Sequence, residues 1–120
     1  MTFDDPNMLA RLETLSDAAL DALEFGVVRM TPSGDIVSYN RWESERAGLA
    51  PASVIGRNFF EAVAPCTNNF MVAERFMSEP ELDAIIDYTF TFRLRPTKVK
   101  LRLLRSNDAA HNHLLVDWRR

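Results

Sequence analysis

Cys66 is the only cysteine in the chain of 120 residues, and it lies in the segment Ala64-Pro65-Cys66-Thr67. A lone buried cysteine most often behaves as a small hydrophobic residue. A nucleophilic cysteine needs a base within reach, and the only two histidines, His111 and His113, fall in a predicted polar turn before the last strand. The residues alone leave two interpretations open, an inert core thiol and a thiol that carries a modification.

His111 and His113 also form a His-x-His pair. Two ligands without an acidic third partner make a weak metal site, so we expect both imidazoles to be exposed in a loop and no metal to bind. A single cysteine excludes an intrachain disulfide framework. No base, metal cluster or phosphate-binding loop accompanies Cys66, and we expect that the protein is not an enzyme.

Tyr39 and Glu43 are four residues apart at a predicted junction of strand and helix, where positions i and i+4 share a face. They fit a partly buried tyrosine beside a solvated glutamate. They also fit a pair of buried donors that point at one anion. Burial raises the pKa of a carboxyl group, so a desolvated Glu43 can stay protonated near neutral pH and donate a hydrogen bond.

Several apolar side chains fit either an ordinary core or the wall of a pocket for a planar aromatic ligand. They are Phe59, Phe60, Val63, Phe90 and Phe92. Composition and spacing do not decide between these two roles.

The elements that must position these residues alternate between helical and strand patterns. Apolar spacing predicts helices near residues 6–15 and 17–25, strands at 25–30 and 36–39, helical segments at 41–48, 51–56, 59–63 and 67–78, and strands at 85–94, 98–103 and 114–118. We expect an α+β fold with one five-stranded antiparallel sheet and helices on one side, the element order of PAS domains. Residues 1–24 are predicted to form an N-terminal helical cap on a core of residues 25–120.

The overall composition describes a globular protein, since 47% of the residues are hydrophobic and 26% are charged. The formal net charge of −3 gives no electrostatic basis for binding nucleic acid or an anionic membrane. No apolar run approaches the roughly 18 residues of a membrane span. The first residues lack the basic and apolar regions of a secretion signal, so we expect a cytoplasmic location.

The sequence resembles the photoactive yellow protein family, which belongs to the PAS superfamily. The resemblance rests on segments that follow one another through nearly the whole chain: Leu23-Glu24-Phe25-Gly26, Ile36-Val37-Ser38-Tyr39-Asn40, Val54-Ile55-Gly56-Arg57-Asn58-Phe59-Phe60, Val63-Ala64-Pro65-Cys66-Thr67, Tyr88-Thr89-Phe90 and Pro96-Thr97-Lys98-Val99-Lys100. A small deletion is expected between Cys66 and Tyr88. This combination is far more specific than a generic PAS signature.

The resemblance implies a blue-light photoreceptor that binds p-coumaric acid (4-hydroxycinnamic acid) as a thioester on Cys66. Tyr39 and Glu43 match the residues that hydrogen-bond the phenolate, and the backbone N–H of Cys66 is expected to hold the thioester carbonyl. The other expected binding residues are Phe59, Val63, Ala64, Thr67, Phe90, Phe92 and Leu94. Trans-to-cis isomerisation followed by proton transfer from Glu43 would produce the signalling state.

The resemblance does not identify the downstream signalling protein, and we expect a monomer or a weak homodimer. An alternative from another class is a PAS ligand-sensing or interaction module that keeps an inert cysteine. A visible absorption band separates the two, because the module without chromophore absorbs only through its tryptophans and tyrosines.

Four positions depart from the family pattern. Ala47 replaces a threonine that supports the tyrosine, which predicts a hydrogen-bond network one bond shorter. Leu49 replaces an arginine that covers the ring. Phe92 replaces a common tyrosine, and Leu94 replaces a methionine, which predicts slow recovery in the dark because a thioether adapts better to a strained ring.

Overall fold

A computed structural model of the protein describes residues 1–91 and 95–118. The helices are α1 (Met8–Leu12), α2 (Asp17–Asp21), α3 (Arg41–Ala47), α4 (Pro51–Val54) and α5 (Ala73–Ser78), with a π-helical turn at Phe59–Val63 and a 3₁₀ turn at Pro65–Thr67. The strands are β1 (Gly26–Met30), β2 (Ile36–Tyr39), β3 (Leu82–Phe90), β4 (Thr97–Arg105) and β5 (Asn112–Asp117). No helix in the described ranges is long and apolar enough to span a membrane.

The five strands form one sheet in the order β2-β1-β5-β4-β3. Every neighbouring pair is antiparallel, which confirms the α+β prediction and the five-stranded sheet. β1 and β5 lie next to each other at the centre, where Gly26 pairs with Val116 and Val28 with Leu114. The two hairpins at the ends of the chain therefore meet in the middle of the sheet.

Side chains alternate along the central strands and divide the core into two clusters, one on each face of the sheet. The helix face contains Val28, Met30, Leu101, Leu103, Leu114 and Val116, packed with residues of the segment from α4 to α5. The cap face contains Val27, Leu104 and Leu115, packed with Phe3, Met8, Leu12, Leu20 and Phe25. The N-terminal helices thus cover the face opposite to α4 and α5. The domain boundary after residue 24 stays a prediction.

Two buried arginines attach the N-terminal segment to the cap face. Arg29 donates through Nη2 to the carbonyl oxygens of Leu12 and Leu15, at 2.6 and 3.2 Å. Arg102 donates through Nη1 to the carbonyl oxygens of Phe3 and Asp5, at 3.0 and 2.8 Å. These charge-assisted bonds tie the two arginines to carbonyl groups at helix ends and turns of the N-terminal segment.

The histidines differ from the prediction, which placed both of them exposed in a loop. His113 lies within β5 and is fully buried on the cap face, where its Nε2 accepts a hydrogen bond from Arg29 Nε at 3.0 Å. His111 is half-buried, and Glu13 accepts from its backbone N–H. The prediction was wrong for His113 because the last strand begins two residues earlier than the apolar pattern indicated, and a partnered histidine is tolerated in a core.

The helix predicted at residues 67–78 is also too long. Only Ala73–Ser78 is helical, because Asn69 Oδ1 accepts hydrogen bonds from the backbone N–H groups of Met71 and Val72 and forms a turn before it. Phe70 is 74% exposed as a result, so it is not part of an apolar helix face. Near the N-terminus, α1 begins at Met8 rather than after Asp5, since the Asp5 carboxylate accepts from the Asn7 N–H in a turn.

Candidate functional site

Asn40 fixes the junction between β2 and α3. Its side-chain Oδ1 accepts hydrogen bonds from the backbone N–H groups of Val27 at 2.9 Å and Glu43 at 3.1 Å. Its Nδ2 donates to the carbonyl oxygens of Leu20 at 2.9 Å and Phe25 at 3.0 Å. An asparagine side chain has two donor hydrogens and two acceptor lone pairs, so the amide is fully used. The direction in which α3 leaves the sheet is therefore well defined.

Glu43 lies in the first turn of α3 and is completely buried. Trp118 Nε1 donates a hydrogen bond to Glu43 Oε1 at 2.6 Å. A Cβ atom on Gly26 would lie only 2.0 Å from the same oxygen, so the absence of a side chain at position 26 makes room for the carboxyl group. Burial raises the pKa of Glu43 to about 8, although the bond from Trp118 acts in the opposite direction. Glu43 is therefore protonated at neutral pH.

Two oxygen atoms of the candidate pair lack protein partners. Within residues 1–91 and 95–118, neither the Tyr39 hydroxyl nor Glu43 Oε2 has a hydrogen-bond partner, and both are buried. Burial raises the pKa of Tyr39, and the nearby Glu43 raises it further, so the phenol is neutral. Ala47 is buried and has no hydroxyl to offer. Unpartnered buried polar atoms are costly and need an explanation, and two neutral O–H donors fit an anionic ligand.

The segment before the cysteine is positioned by Asn58. Its Oδ1 accepts from the backbone N–H groups of Phe60 and Glu61, at 3.0 and 3.1 Å, and so begins the π-helical turn. Thr67 then closes the segment, because its Oγ1 donates to the Ala64 carbonyl at 2.7 Å. The hydroxyl of Thr67, an expected binding residue, is thus engaged with the backbone.

Cys66 is half-buried and packs against the core cluster of the helix face. Its carbonyl oxygen accepts hydrogen bonds from the Tyr88 hydroxyl and from Asn69 Nδ2, the latter at 3.2 Å. Asn69 Nδ2 also donates to the Tyr88 hydroxyl at 2.7 Å. These contacts fix the carbonyl group of Cys66 and do not involve its Sγ atom.

The expected apolar residues lie in the same cluster as the cysteine. Phe59, Val63, Ala64, Phe90 and Tyr39 are all buried members of it. Glu43 is connected to this cluster through Trp118, whose ring lies 5.3 Å from that of Phe90, centroid to centroid. Phe92 and Leu94 lie outside the described residues.

The sequence interpretation missed three residues of the site: Gly26, Tyr88 and Trp118. Gly26 and Tyr88 lie in segments that match the family, but nothing in their local pattern indicates contact with Glu43 or Cys66. Trp118 follows the last strand and reaches Glu43 across 75 positions of the chain. A contact of that sequence separation depends on strand pairing, which spacing along the chain does not encode.

Comparison with known proteins identifies relatives over most of the chain. A photoactive yellow protein of Rhodothalassium salexigens is 38% identical over 95 residues, which cover 77% of this chain and 76% of the relative. One from Rhodobacter capsulatus is 32% identical over 118 residues, 96% of this chain and 92% of the relative. No protein-family model matches the chain.

The structural comparison agrees with the sequence relatives. The photoactive yellow protein domain of the sensor histidine kinase Ppr from Rhodospirillum centenum superposes with a TM-score of 0.81 at 37% identity, over 89% of this chain and 96% of that domain. The PAS domain of the quorum-sensing receptor RpfR from Cronobacter turicensis has a TM-score of 0.60 at 17% identity, over 82% of this chain and 96% of that domain, which supports the fold alone. On the strength of these relatives and this fold, the chain belongs to the photoactive yellow protein family of PAS domains.

Proposed function

We propose that the protein is a blue-light receptor that carries p-coumaric acid as a thioester on Cys66. The observation that carries the proposal is the pair of buried, unpartnered oxygens on Tyr39 and Glu43, in a core that also contacts the single cysteine. Two neutral donors suit one buried phenolate, whose desolvation would otherwise be costly. The photoactive yellow protein relatives support the same assignment.

Attachment requires an activated coumaroyl donor, such as a thioester. The Cys66 Sγ attacks the carbonyl carbon of the donor, the bond from that carbon to the donor's sulfur breaks, and the departing thiol takes up the proton that Cys66 gives up. No oxidant or reductant is needed. The hydrogen bonds to the Cys66 carbonyl from Tyr88 and Asn69 hold the backbone still at the attachment point.

When bound, the chromophore supplies a conjugated double bond that isomerises from trans to cis on absorbing blue light. In the dark, Tyr39 and the neutral Glu43 donate hydrogen bonds that keep its phenolate charge in the core. After illumination Glu43 would give its proton to the phenolate oxygen and become a carboxylate in its completely buried position. A buried charge of this kind costs several kcal/mol, which favours a looser structure around α3.

Hydrogen bonds connect α3 directly to the N-terminal helices. Asn40 Oδ1 accepts from the Glu43 N–H, and Asn40 Nδ2 donates to the carbonyl of Leu20 at the end of the second helix. Asp21 Oδ1 also accepts from the backbone N–H of Arg41 at 2.7 Å. A shift of α3 therefore strains the bonds that hold α2, and release of the cap would present a new surface to a signalling protein.

We further propose that the protein works in the cytoplasm as a monomer or weak homodimer, without binding nucleic acid or membrane and without catalytic activity. The net charge of −3 supports the absence of a nucleic-acid partner. The match to a domain of a sensor histidine kinase supports a role in signal transduction through a downstream signalling protein.

The test is reconstitution of the purified chain with an activated coumaroyl donor. We expect a strong visible absorption band, a mass increase on the peptide that contains Cys66, and bleaching of the band under blue light. The matched control is Cys66→Ala, which should stay colourless. A wild-type chain that stays colourless would favour the alternative function, a PAS module that senses another ligand or binds a partner.

The role of Glu43 has its own measurement. Infrared difference spectra of the loaded protein should show a protonated-carboxyl band that disappears on illumination. Glu43→Gln should remove that band. An unchanged band in this variant would assign the proton to another group and refute the proposed transfer.

A further inference from the structure

Trp118 is placed so that it controls the carboxyl group of Glu43. It follows β5, and its Nε1 donates to Glu43 Oε1 at 2.6 Å. Its ring also lies 5.3 Å from that of Phe90, with the planes inclined by 55°. Contact with Phe90 restricts the indole ring, so the N–H is presented to Glu43 in a defined direction.

Gly26 encloses the same carboxyl oxygen from the sheet side. The 2.0 Å distance from a Cβ at position 26 to Glu43 Oε1 shows that this oxygen lies directly over the glycine backbone. Oε1 is therefore held between Gly26 and Trp118. The other oxygen, Oε2, is buried and has no partner in the described part of the chain. The two oxygens of one carboxyl group thus have different environments.

An indole N–H is a donor and never an acceptor. The oxygen that faces Trp118 is therefore the acceptor. In a neutral carboxyl group the carbonyl oxygen accepts far better than the hydroxyl oxygen, which favours the proton on the other oxygen. We propose that Trp118 fixes the proton of Glu43 on Oε2, the oxygen left for the ligand, and remains bonded to Oε1 after the proton has left. Trp118 is then a positioning residue for the light reaction, and this inference rests on the function proposed above.

The consequence concerns the lifetime of the signalling state. A hydrogen bond to a carboxylate is stronger than one to a neutral carboxyl group, so Trp118 stabilises Glu43 more after proton loss than before it. The direction agrees with the effect on the pKa of Glu43, which the Trp118 bond lowers against burial. Removal of the indole N–H should make the deprotonated state less stable and its recovery faster.

The decisive variant is Trp118→Phe, which keeps an aromatic ring beside Phe90 and removes the N–H donor. The matched control is Trp42→Phe, because Trp42 Nε1 is buried and has no hydrogen-bond partner among residues 1–91 and 95–118. The first readout uses the protein without chromophore at about pH 6, where Glu43 is neutral. The carboxyl stretching band of Glu43, assigned by its loss in Glu43→Gln, should move to higher frequency in Trp118→Phe and stay in place in Trp42→Phe.

A Glu43 band that stays in place in Trp118→Phe overturns the inference. Since this readout needs no chromophore, it remains valid if reconstitution fails and the proposed function is wrong. Should Trp118→Phe not fold, the indole N–H resonance of Trp118 in the wild type serves instead. It should shift in Glu43→Gln if the bond exists, and an unchanged resonance contradicts it.

The second readout uses the loaded protein. Recovery in the dark after a flash should be roughly five- to tenfold faster in Trp118→Phe, since a hydrogen bond to a charged group contributes about 1.5–3 kcal/mol and one to a neutral group about 0.5–1.5 kcal/mol. Trp42→Phe should recover at the wild-type rate. Recovery that is unchanged or slower in Trp118→Phe would show that Trp118 does not stabilise the carboxylate, and would overturn that part of the inference.

Discussion

The buried polar groups on the two faces of the sheet differ in how they are hydrogen-bonded. On the cap face, Arg29 and Arg102 direct their hydrogen bonds to backbone carbonyls and to His113 or Asp83. On the helix side, Tyr39 and Glu43 each keep an oxygen without a protein partner in the described residues. The arginine bonds on the cap face attach the N-terminal segment, although His113 Nδ1 there is also buried without a partner in the described residues. The two unpartnered oxygens on the helix face both belong to the candidate site.

Burial also shifts the pKa of Glu43 on the helix face and the pKa of His113 on the cap face, in opposite directions. Desolvation raises the pKa of Glu43 to about 8 and lowers that of His113 to about 3. Both groups are therefore neutral at pH 7, for the same physical reason. Glu43 is then a carboxylic acid that can release its proton near neutral pH, whereas His113 is a neutral imidazole whose Nε2 accepts a hydrogen bond from Arg29.

Of the changes that test this comparison, Arg29→Met should cause the largest loss of stability. The change removes the three hydrogen bonds from Arg29 to His113 Nε2 and to the carbonyl oxygens of Leu12 and Leu15. We therefore expect a loss of about 4 kcal/mol in the free energy of unfolding. Urea denaturation measures it. Arg57→Met is the control, because Arg57 is exposed and its replacement should change stability by less than about 0.5 kcal/mol. Equal losses in both variants would show that the Arg29 contacts do not hold the cap.

Glu43→Gln should alter the pH dependence of stability in the protein without chromophore. The pKa of Glu43 rises from 4.5 to about 8 on folding, so its stabilising effect is complete below about pH 4.5 and is lost as the pH rises toward 8. Between pH 6.5 and 8 the wild type should lose about 2 kcal/mol relative to Glu43→Gln.

His113→Gln provides the control for this window. The pKa of His113 falls from 6.5 to about 3 on folding, so its stabilising effect is present above pH 6.5 and is lost as the pH falls below that value. This variant should keep the wild-type slope between pH 6.5 and 8. Parallel curves for the wild type and Glu43→Gln would show that Glu43 is already ionised in the folded protein.

Ala47→Thr tests whether the Tyr39 hydroxyl can be given a protein partner. Ala47→Val has the same shape and adds the same bulk, so the difference between the two variants isolates the hydroxyl. If that hydroxyl bonds to Tyr39, Ala47→Thr should be about 1 kcal/mol more stable than Ala47→Val without chromophore. Thermal or urea unfolding gives the comparison. A less stable threonine variant would mean that the added hydroxyl is itself buried without a partner.

The sequence predicted those parts of the fold that depend on local chemistry. Asn40 and Ser16 are residue types that favour the N-cap position, and both side chains accept a backbone hydrogen bond from the first turn of a helix. The order of strands and helices followed from periodicity, and the sheet agrees with it. The pair Tyr39 and Glu43 was also recognisable, because i and i+4 positions at a capped helix are close in any such fold.

The sequence could not predict features that depend on packing between distant segments. Trp118 and Gly26 lie against Glu43 only because β1 and β5 pair in the centre of the sheet. Periodicity predicted a helix over residues 67–78, but the turn at Asn69 prevents its first half from being helical. His113 was misplaced for the same reason, since its burial depends on Arg29 in a strand 84 residues away.

The complete use of the Asn40 amide has a consequence for how the molecule can respond. The planar amide group bonds to four places at once: the carbonyl oxygens of Leu20 and Phe25, strand β1 and helix α3. It has no spare donor or acceptor. A small displacement of α3 cannot be absorbed by exchange of partners, because every alternative geometry breaks at least one bond. The junction should therefore open in one concerted step, and the output of the protein should be two discrete states rather than a graded series.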